Sequence, residues 1–391
     1  MVNKPEQVVG ANAGRARSHN RQVVLGRVRD AGQIGRAEIA RASGLSTQAV
    51  SNIIADLLRD GMIREQGRRS GLRGLPAVQY ALNPDGAFAL GIEIRPDAIL
   101  AALLDLEGDT VFSTRESLPS SDVDGTLTLL AALKTEALKK TGIDAGRLLG
   151  AGVVMPGPFG LSEHPESGSE LAIWHDCDPR TALEAALDLP VAVENDANAA
   201  AMAEWLSGAA SGLESFAFIY FGTGLGLGVM HEGRLLTGAH GNAGELGHVA
   251  VPTANGTVAL ETAVSRLSVQ AYLAERGVKA QTMEDLAALY AATDSALFAW
   301  LDDASLPLSV AINVVENLFD PQTIVLGGAM PDDILDHLIR RITLGGRSVA
   351  DRPARAHPRL QRGTSGRMSA TLGAAALILN GAFTPRIAAA G

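Results

Sequence analysis

Residues 191–201 read VAVENDANAAA, a short β-prone run that passes through the polar triplet Glu194-Asn195-Asp196 into an alanine-rich helix. Downstream, residues 216–221 and 226–230 predict a pair of strands about the glycine-rich segment 222–228, GTGLGLG. Upstream, strands are predicted at 88–94, 99–106, 111–115 and 150–155, with a helix at 124–140. A strand at 323–326 and a helix at 370–379 follow near the C-terminus. Strands that are followed by helices in this way indicate an α/β architecture.

The N-terminal residues predict a helix-turn-helix. A first helix is expected from near Asn20 to a stop at Gly32. Residues 36–42 and 46–60 then predict two short helices separated by a glycine-bearing turn. Ser46 or Thr47 can cap the second helix. The outward N-terminal end of that helix, where a recognition helix reaches base edges in the major groove, carries Thr47, Gln48, Ser51 and Asn52.

Residues 62–82 predict a wing, because two β-prone runs flank a loop rich in Gly and Arg. Arg68, Arg69 and Arg73 at its tip suit contacts with phosphates or a minor groove. The alternative for residues 20–82 is an ordinary helical pair with a solvated basic loop. DNA binding is favoured because the helices, the turn, the wing and the local positive charge all indicate it. We expect a disordered tail at 1–18, a winged helix-turn-helix domain at 19–83 and a larger body at 87–391.

The charge distribution separates the same two parts of the chain. Residues 1–80 hold 13 Lys and Arg against 6 Asp and Glu, whereas the remaining 311 residues hold 20 against 37. A basic head on an acidic body predicts one module for a polyanion and another for a different ligand. The chain shows no secretory signal and no apolar stretch long enough for a membrane span, so we expect a cytoplasmic protein.

Four segments of the body carry a family resemblance. They are 193–201 (VENDANAAA), 222–226 (GTGLG), 244–248 (GELGH) and 324–328 (IVLGG). In this order they resemble the ROK family of repressors, uncharacterised reading frames and sugar kinases, over residues 87–380. The resemblance implies two actin-like lobes with a sugar site in the cleft between them. With its N-terminal helix-turn-helix, the chain is similar to the sugar-responsive branch that includes xylose and N-acetylglucosamine repressors.

The resemblance also implies which residues contact the sugar. Carboxylates accept hydrogen bonds from neighbouring sugar hydroxyls, and an amide both donates and accepts them. Asp196 matches the family kinases' general base, although a position just before an alanine-rich helix also suits a helix cap. Glu245 and His248 have a plainer alternative as a turn carboxylate and a satisfied histidine. The implied sugar-binding set is Gly157, which allows close backbone approach, Asn195, Asp196, Glu245, His248 and Glu261.

Two departures from the family pattern concern catalysis and metal. Family kinases carry an Asp-x-Gly-Gly-Thr phosphate loop, whereas the counterpart here reads Gly91-Ile-Glu93-Ile-Arg95-Pro96 and lacks those glycines. Many members bind zinc through the GELGH histidine and three cysteines, but residues 249–261 contain no cysteine and the chain has only Cys177. We therefore expect neither phosphoryl transfer nor a metal, and no cofactor.

These observations leave three functional hypotheses. The favoured one is a sugar-responsive transcriptional regulator, a repressor by resemblance, that binds operator DNA as a homodimer or homotetramer and senses a sugar or sugar phosphate. The second is a ROK-type sugar kinase with an appended DNA-binding head. The third is a body that has lost ligand binding and serves only for dimerisation, against which the joint presence of Asn195, Asp196, Glu245 and His248 argues.

Overall fold

The computed structural model describes residues 13–69, 77–95, 98–118, 122–155, 178–239, 241–253, 256–346 and 348–384. The N-terminal part, here called the head, contains helices α1 (Ala13–Ala31), α2 (Arg36–Ser43) and α3 (Thr47–Arg59). Strands β1 (Ile34–Gly35), β2 (Ile63–Arg69) and β3 (Ala77–Leu82) form an antiparallel sheet in the order β1-β3-β2. Helices followed by a hairpin in this order are the winged helix-turn-helix arrangement predicted from the sequence.

Local chemistry sets the turn between α2 and α3. Gly44 ends α2 in the left-handed region, with φ 70°, where a side chain would be strained. Ser46, one of the two predicted caps, accepts a hydrogen bond from the Ala49 backbone N–H at 3.2 Å. The turn therefore follows from a glycine and a serine at their preferred positions.

The start of α1 corrects the sequence prediction. The helix begins at Ala13 rather than near Asn20, so residues 13–18 are helical and the predicted disordered tail is wrong for them. Arg17 forms an ion pair with Asp56 of α3, and Arg21 pairs with Asp60 at 2.6 Å. These ion pairs between α1 and α3 stabilise the N-terminal part of α1, whose own apolar periodicity is weak. Residues 1–12 lie outside the described residues, and the domain boundaries stay predictions.

The first lobe is built on a mixed sheet. It contains β4 (Phe88–Ile94), β5 (Ala98–Asp105), β6 (Thr110–Ser117), β7 (Leu148–Val154) and β8 (Val191–Glu194), with helices α4 (Val123–Thr141) and α5 (Pro179–Leu187). The strand order is β6-β5-β4-β7-β8, antiparallel from β6 to β4 and parallel from β4 to β8. The predicted strands of this region lie within a few residues of these bounds.

The second lobe repeats this plan with more helices. Its sheet has the order β11-β10-β9-β14-β15, from β9 (Phe216–Phe221), β10 (Leu225–His231), β11 (Arg234–Leu235), β14 (Ile324–Gly328) and β15 (Leu360–Arg362). A hairpin of β12 (Ala250–Thr253) and β13 (Gly256–Ala259) leads into the helices. The helices of this lobe are α6 (Asp196–Ser207), α7 (Leu260–Ala263), α8 (Arg266–Ala274), α9 (Met283–Ala291), α10 (Ser295–Phe319) and α11 (Asp332–Arg341), and the final helix α12 (Ser369–Phe383) packs on the first-lobe sheet and on α6. The predicted α/β, two-lobed class is confirmed.

Helix α10 is long and apolar enough to cross a bilayer by length and composition. In the fold it is a core helix, since Trp300, Leu308 and Ile312 are buried within the second lobe. It also contains Pro307.

Helices α6 and α12 cross at the junction of the lobes, and glycines make this close contact possible. A Cβ on Gly373 of α12 would lie 1.6 Å from the Ala199 carbonyl oxygen of α6. A Cβ on Gly91 of β4 would lie 2.1 Å from the Thr371 carbonyl oxygen. Any side chain at these positions would collide with backbone, which cannot move aside. Helix α12 therefore lies directly against both the first-lobe sheet and α6.

The head packs on the other end of α12. The Gln22 side-chain amide donates to the Gly381 carbonyl at 2.9 Å. The Arg29 guanidinium lies between Phe383 and Trp205, 4.6 Å and 5.5 Å from their ring centres. Apolar side chains of the head, of β4 and β5 and of α12 form one continuous cluster that includes Val24, Val28, Ile54, Leu57, Leu104 and Leu379. Helix α12 thus connects the head to the junction of the lobes.

Candidate functional site

Asp196 begins helix α6 and lines the cleft between the lobes. The cap of α6 is Asn195, whose side-chain oxygen accepts from the Asn198 backbone N–H at 2.7 Å. Asp196 is the first helical residue, and its carboxylate accepts from the Ala197 backbone N–H at 2.8 Å. The alternative that made Asp196 the helix cap is therefore wrong, because Asn195 fills that role.

The surroundings of Asp196 favour its neutral form. Burial, with a smaller contribution from the negative charge of Glu93, raises the pKa of Asp196 to about 7. The Ala197 N–H and the positive charge of Arg95 oppose this shift, while Glu245 adds to it. A carboxyl group with a pKa near neutral can accept or release a proton at physiological pH.

Glu93 and Arg95 occupy the segment that the family kinases use as a phosphate loop. Glu93 is 4% exposed near the end of β4. It accepts from Arg95 Nε at 2.6 Å and from Thr371 Oγ1 of α12 at 2.7 Å. The end of β4 therefore carries an ion pair between a buried carboxylate and a partly exposed guanidinium. Pro96 lies outside the described residues.

Glu245, His248 and Glu261 form a second group at the cleft. His248 Nε2 lies 3.6 Å from Glu245 Oε2. Burial raises the pKa of Glu245, His248 lowers it, and the charge of Glu261 raises it further. Glycines make room for Glu261, since a Cβ on Gly224 or on Gly247 would lie 2.6 Å or 2.9 Å from Glu261 Oε2. The motifs GTGLG and GELGH thus bring three titratable side chains together.

Of the predicted sugar-binding residues, Asp196 lines the cleft, and Glu245, His248 and Glu261 form a group beside it. A Cβ on Gly222 would lie 2.9 Å from Asp196 Oδ2, and one on Gly224, two positions further along the chain, would lie 2.6 Å from Glu261 Oε2, so the two groups are neighbours. Gly157 and Cys177 lie outside the described residues. The inner part of the cleft is lined by Glu93, Ile94, Arg95, Val154, Met155, Asp196, Tyr220, Gly222, Thr223, Arg266 and Ala329.

Sequence reasoning missed Tyr220 and Arg266 as cleft residues. Arg266 lies 44 positions after Gly222, the first residue of the GTGLG motif, and reaches back to it, donating from Nε to the Gly222 carbonyl at 3.4 Å. Tyr220 lies inside a wholly buried strand and reads as a core aromatic. Neither Tyr220 nor Arg266 belongs to a sequence motif that would indicate a binding site.

The part of the chain that the structure describes contains no cluster of three or more His, Cys, Asp or Glu side chains that could hold a metal ion. The expectation that the protein binds no metal stays a prediction.

The outward end of α3 presents the predicted DNA-contacting side chains. Thr47, Gln48 and Asn52 are exposed and Ser51 is partly exposed. Gln48 Nε2 donates to Asn52 Oδ1 at 3.1 Å, which holds the two amides side by side. The opposite face of α3 is buried through Val50, Ile53, Ile54 and Leu57. The backbone of Arg68 and Arg69 belongs to β2, while their side chains and Arg73 lie outside the described residues.

Comparison with protein families matches residues 89–380 to the ROK family. The chain belongs to the ROK family. This ROK protein is 30% identical over 318 residues to the uncharacterized protein y4fQ of Sinorhizobium fredii, covering 79% of this chain and 78% of that protein. It is 25% identical over 319 residues to the xylose repressor of Bacillus subtilis, covering 78% and 81%. A glucokinase of Halalkalibacterium halodurans is also similar, at 28% over 266 residues, covering 62% and 80%.

Among solved structures, a ROK family transcriptional regulator described as a homologue of the E. coli MLC protein matches head and lobes together. Its TM-score is 0.71 at 25% identity, and the match covers 93% of this ROK protein and 97% of that chain. The similarity to xylose repressors and to this regulator supports the repressor branch of the family.

Proposed function

We propose that this ROK protein is a cytoplasmic, sugar-responsive repressor that controls carbohydrate-metabolism genes. The observation that carries the proposal is the single helix α12, which contacts the acidic cleft at one end and the DNA-binding head at the other. The names of its relatives, the xylose repressor and the ROK transcriptional regulator, support the same function.

The cleft suits a polyol. Asp196, Glu245 and Glu261 offer carboxylate oxygens to sugar hydroxyls, and His248 lies beside them. A hydrogen bond to a charged acceptor stabilises a complex more than a neutral one does, by about 1.5–3 kcal/mol. In the proposed site, these groups line a cleft whose closure the bound sugar favours. Gly157 completes the site by resemblance.

The head suits operator DNA. Gln48, Ser51 and Asn52 present amides and a hydroxyl that can pair with base edges, and Thr47 lies beside them at the start of α3. Arg68, Arg69 and Arg73 of the wing would contact phosphates. One head reads one half-site, so the proposed repressor binds as a homodimer or homotetramer.

The two sites communicate through α12. Its 15 residues span about 22 Å. Thr371 at one end is bonded to Glu93 of the cleft, and Gly381 and Phe383 at the other end contact α1. In this proposal, closure of the cleft on a sugar shifts α12, and α1 follows because Gly26 lies against the Phe383 carbonyl. The heads then no longer match both half-sites.

The test is release of DNA by a sugar. Full-length protein is bound to fluorescent operator fragments taken from its own upstream region and challenged with a panel of sugars and sugar phosphates. Glu245→Gln should bind operator normally but need roughly 10–150-fold more effector for release. Glu275→Gln, an exposed substitution outside the cleft, should behave as wild type. Operator binding that no compound of the panel releases would contradict the proposal.

One observation favours a second function, a sugar kinase. Asp196 has a pKa of about 7, which suits a general base at neutral pH. The Glu93–Arg95 ion pair opposes it, because a buried carboxylate where phosphates would bind repels them. Sugar-dependent ADP production by purified protein would establish the kinase, and its absence across the panel would exclude turnover of those sugars.

A further inference from the structure

Arg29, in the last turn of α1, is a partly buried cation with weak polar partners. Its Nε and Nη2 atoms both lie 3.4 Å from Asp30 Oδ1, a long separation, and the Asp30 side chain is 54% exposed. Its Nη1 atom is buried and makes no hydrogen bond to any residue that the structure describes. Burial therefore lowers the pKa of the Arg29 guanidinium, and the charge of Asp30 only partly opposes this. A guanidinium in such a position is costly unless other groups stabilise its charge.

Two aromatic rings of the body supply that stabilisation. The Arg29 guanidinium carbon lies 4.6 Å from the centre of the Phe383 ring and 5.5 Å from that of the Trp205 ring. The face of an aromatic ring attracts a cation, and it does so more strongly when the cation is desolvated. The Trp205 ring is itself fixed, because its Nε1 donates to the Leu213 carbonyl at 2.9 Å. The charge of Arg29 therefore depends on two rings at once.

The two rings belong to the far ends of two helices that begin at the cleft. Phe383 is the last residue of α12, whose first turn contacts the cleft through Thr371. Trp205 lies in the last turn of α6, whose first residue, Asp196, lines the cleft. Arg29 is thus a residue of the head that touches the ends of both helices.

The crossing point of α6 and α12 lies closer to the cleft than to the rings. Gly373 of α12 and Ala199 of α6 are in contact there. At 1.5 Å per residue, α6 advances about 9 Å from this point to Trp205, and α12 advances about 15 Å to Phe383. A change in the crossing angle therefore moves the rings by more than it moves the residues at the crossing. The separation of the two rings depends on that angle.

The head contacts α12 along one stripe of α1. Gln22, Gly26 and Arg29 follow one another at intervals of four and three residues, which places them on one face of the helix. The Gln22 amide donates to the Gly381 carbonyl at 2.9 Å, and a Cβ on Gly26 would lie 2.9 Å from the Phe383 carbonyl oxygen. Arg29 extends this stripe to α6, because its guanidinium also lies over the Trp205 ring.

We infer that Arg29 is a positioning residue that couples the orientation of the DNA-binding head to the angle between α6 and α12. While both rings flank the guanidinium, the head keeps the orientation that fits two half-sites. Closure of the cleft that changes the crossing angle separates the rings, leaves the cation unstabilised and releases the head. The inference rests on the proposed function, since it names the contact through which the cleft regulates the head.

The stability of Arg29→Met distinguishes this coupling from a purely structural role. Replacement of a poorly paired, partly buried charge by an apolar side chain is often neutral or stabilising. We therefore expect Arg29→Met to unfold in urea at the same denaturant concentration as wild type, or at a higher one, while its head is held less firmly. A structural role predicts instead that stability and DNA binding fall together.

The main experiment measures how full-length protein discriminates the spacing of half-sites, and it needs no effector. Anisotropy titrations compare an operator from the protein's own upstream region with the same operator lengthened between its half-sites by about 5 bp, half a helical turn. Wild type should bind the lengthened DNA at least about tenfold more weakly, because its heads are held in a fixed orientation. Arg29→Met should bind the original operator roughly tenfold more weakly than wild type, and should lose less than about threefold on lengthening.

Further variants assign the effect to the charge and to the two rings. Arg27→Met removes the same charge from an exposed position of α1, 3.9 Å from Asp30, and should behave as wild type in both assays. Arg29→Lys keeps a cation beside the rings and should recover part of the spacing discrimination. Trp205→Leu and Phe383→Leu each remove one ring and should each reduce the discrimination. Neither should reduce it further in the Arg29→Met background, because the interaction is then already lost.

The outcomes separate the inference from the proposed function. Arg29→Met with the operator affinity and the spacing discrimination of wild type overturns the inference and leaves the repressor proposal standing. An Arg29→Met protein that loses stability in parallel with its operator affinity also overturns the inference, because Arg29 then acts only through packing. If wild-type protein binds no operator DNA, both the inference and the proposed function fail.

Discussion

Thr371 Oγ1 donates a hydrogen bond to Glu93 Oε2 over 2.7 Å, and both side chains are buried. Glu93 lies near the end of β4 at the cleft, and Thr371 lies in the first turn of α12. The bond therefore ties the cleft to the helix whose other end carries the head. A buried carboxylate needs such donors, because an unpaired one is expensive in an apolar interior.

Thr371→Val should weaken both stability and signalling. The change keeps the shape but leaves Glu93 without one donor, at a cost of about 1–3 kcal/mol in the free energy of unfolding. Effector-induced release of operator should also be less complete. Urea denaturation and fluorescence anisotropy measure the two effects. Thr135→Val is the control, since that hydroxyl bonds only within its own helix at an exposed position. Equal stability of the two variants would contradict the role given to Thr371.

Asp196 should make stability depend on pH. Its pKa is about 7 in the folded protein and near 3.8 when unfolded, so the folded state binds more protons between these values. Stability therefore falls as pH rises from about 4 to about 7 and then levels off. Asp196→Asn removes this penalty, and at pH 8 it should be more stable than wild type by roughly 2–4 kcal/mol, at 1.36 kcal/mol per pKa unit.

The pH prediction is checked by urea titrations of wild type and Asp196→Asn at several pH values. The difference in the free energy of unfolding should be small at pH 4 and largest at pH 8. Asp124→Asn, a substitution at an exposed helix start, serves as the matched control. A difference that stays constant across this range would show that Asp196 titrates normally.

Substitutions in the head should fall into two classes, those that change discrimination between bases and those that weaken contact with DNA phosphates. Gln48→Ala or Asn52→Ala should cost about 1–3 kcal/mol of discrimination against wrong bases, with little change in the salt dependence of binding. Arg68→Ala, Arg69→Ala or Arg73→Ala should weaken binding to all sequences and reduce the salt slope. Anisotropy titrations against operator and scrambled DNA at several salt concentrations distinguish the two classes. Identical affinities and slopes in all these variants would contradict DNA recognition by this surface.

The crossing of α6 and α12 should tolerate no side chain at Gly373. A Cβ there would lie 1.6 Å from the Ala199 carbonyl oxygen, so the helices would have to separate. Gly373→Ala should therefore cost at least about 3 kcal/mol of stability or prevent folding. Gly346→Ala, whose added Cβ would meet only Asp351 at 4.0 Å, is the control. Thermal denaturation and soluble yield measure the outcome, and a Gly373→Ala protein as stable as the control would refute the packing described here.

Where local interactions decide the structure, the sequence was sufficient to predict it. The period-two and helical patterns placed β4, β9 and α12 closely, because burial of alternate or successive apolar residues is encoded locally. The turn at Gly44 and the cap at Ser46 followed from residue type alone. The motifs that led to the family also named Asp196 and Glu245, which the fold brings to one cleft.

Only the tertiary structure decided the rest, because those features depend on contacts between residues distant in the chain. Helix α1 extends to Ala13 through ion pairs with α3, which no local propensity encodes. Asn195 rather than Asp196 caps α6, and burial, with smaller contributions from the negative charges of Glu93 and Glu245, raises the pKa of Asp196. Arg266 reaches the cleft only because α8 packs beside the β9–β10 turn. The sequence determined the secondary-structure elements and the functional groups that they carry. The tertiary structure determined which charged groups lie together in the desolvated cleft, and hence which ligands the cleft can bind.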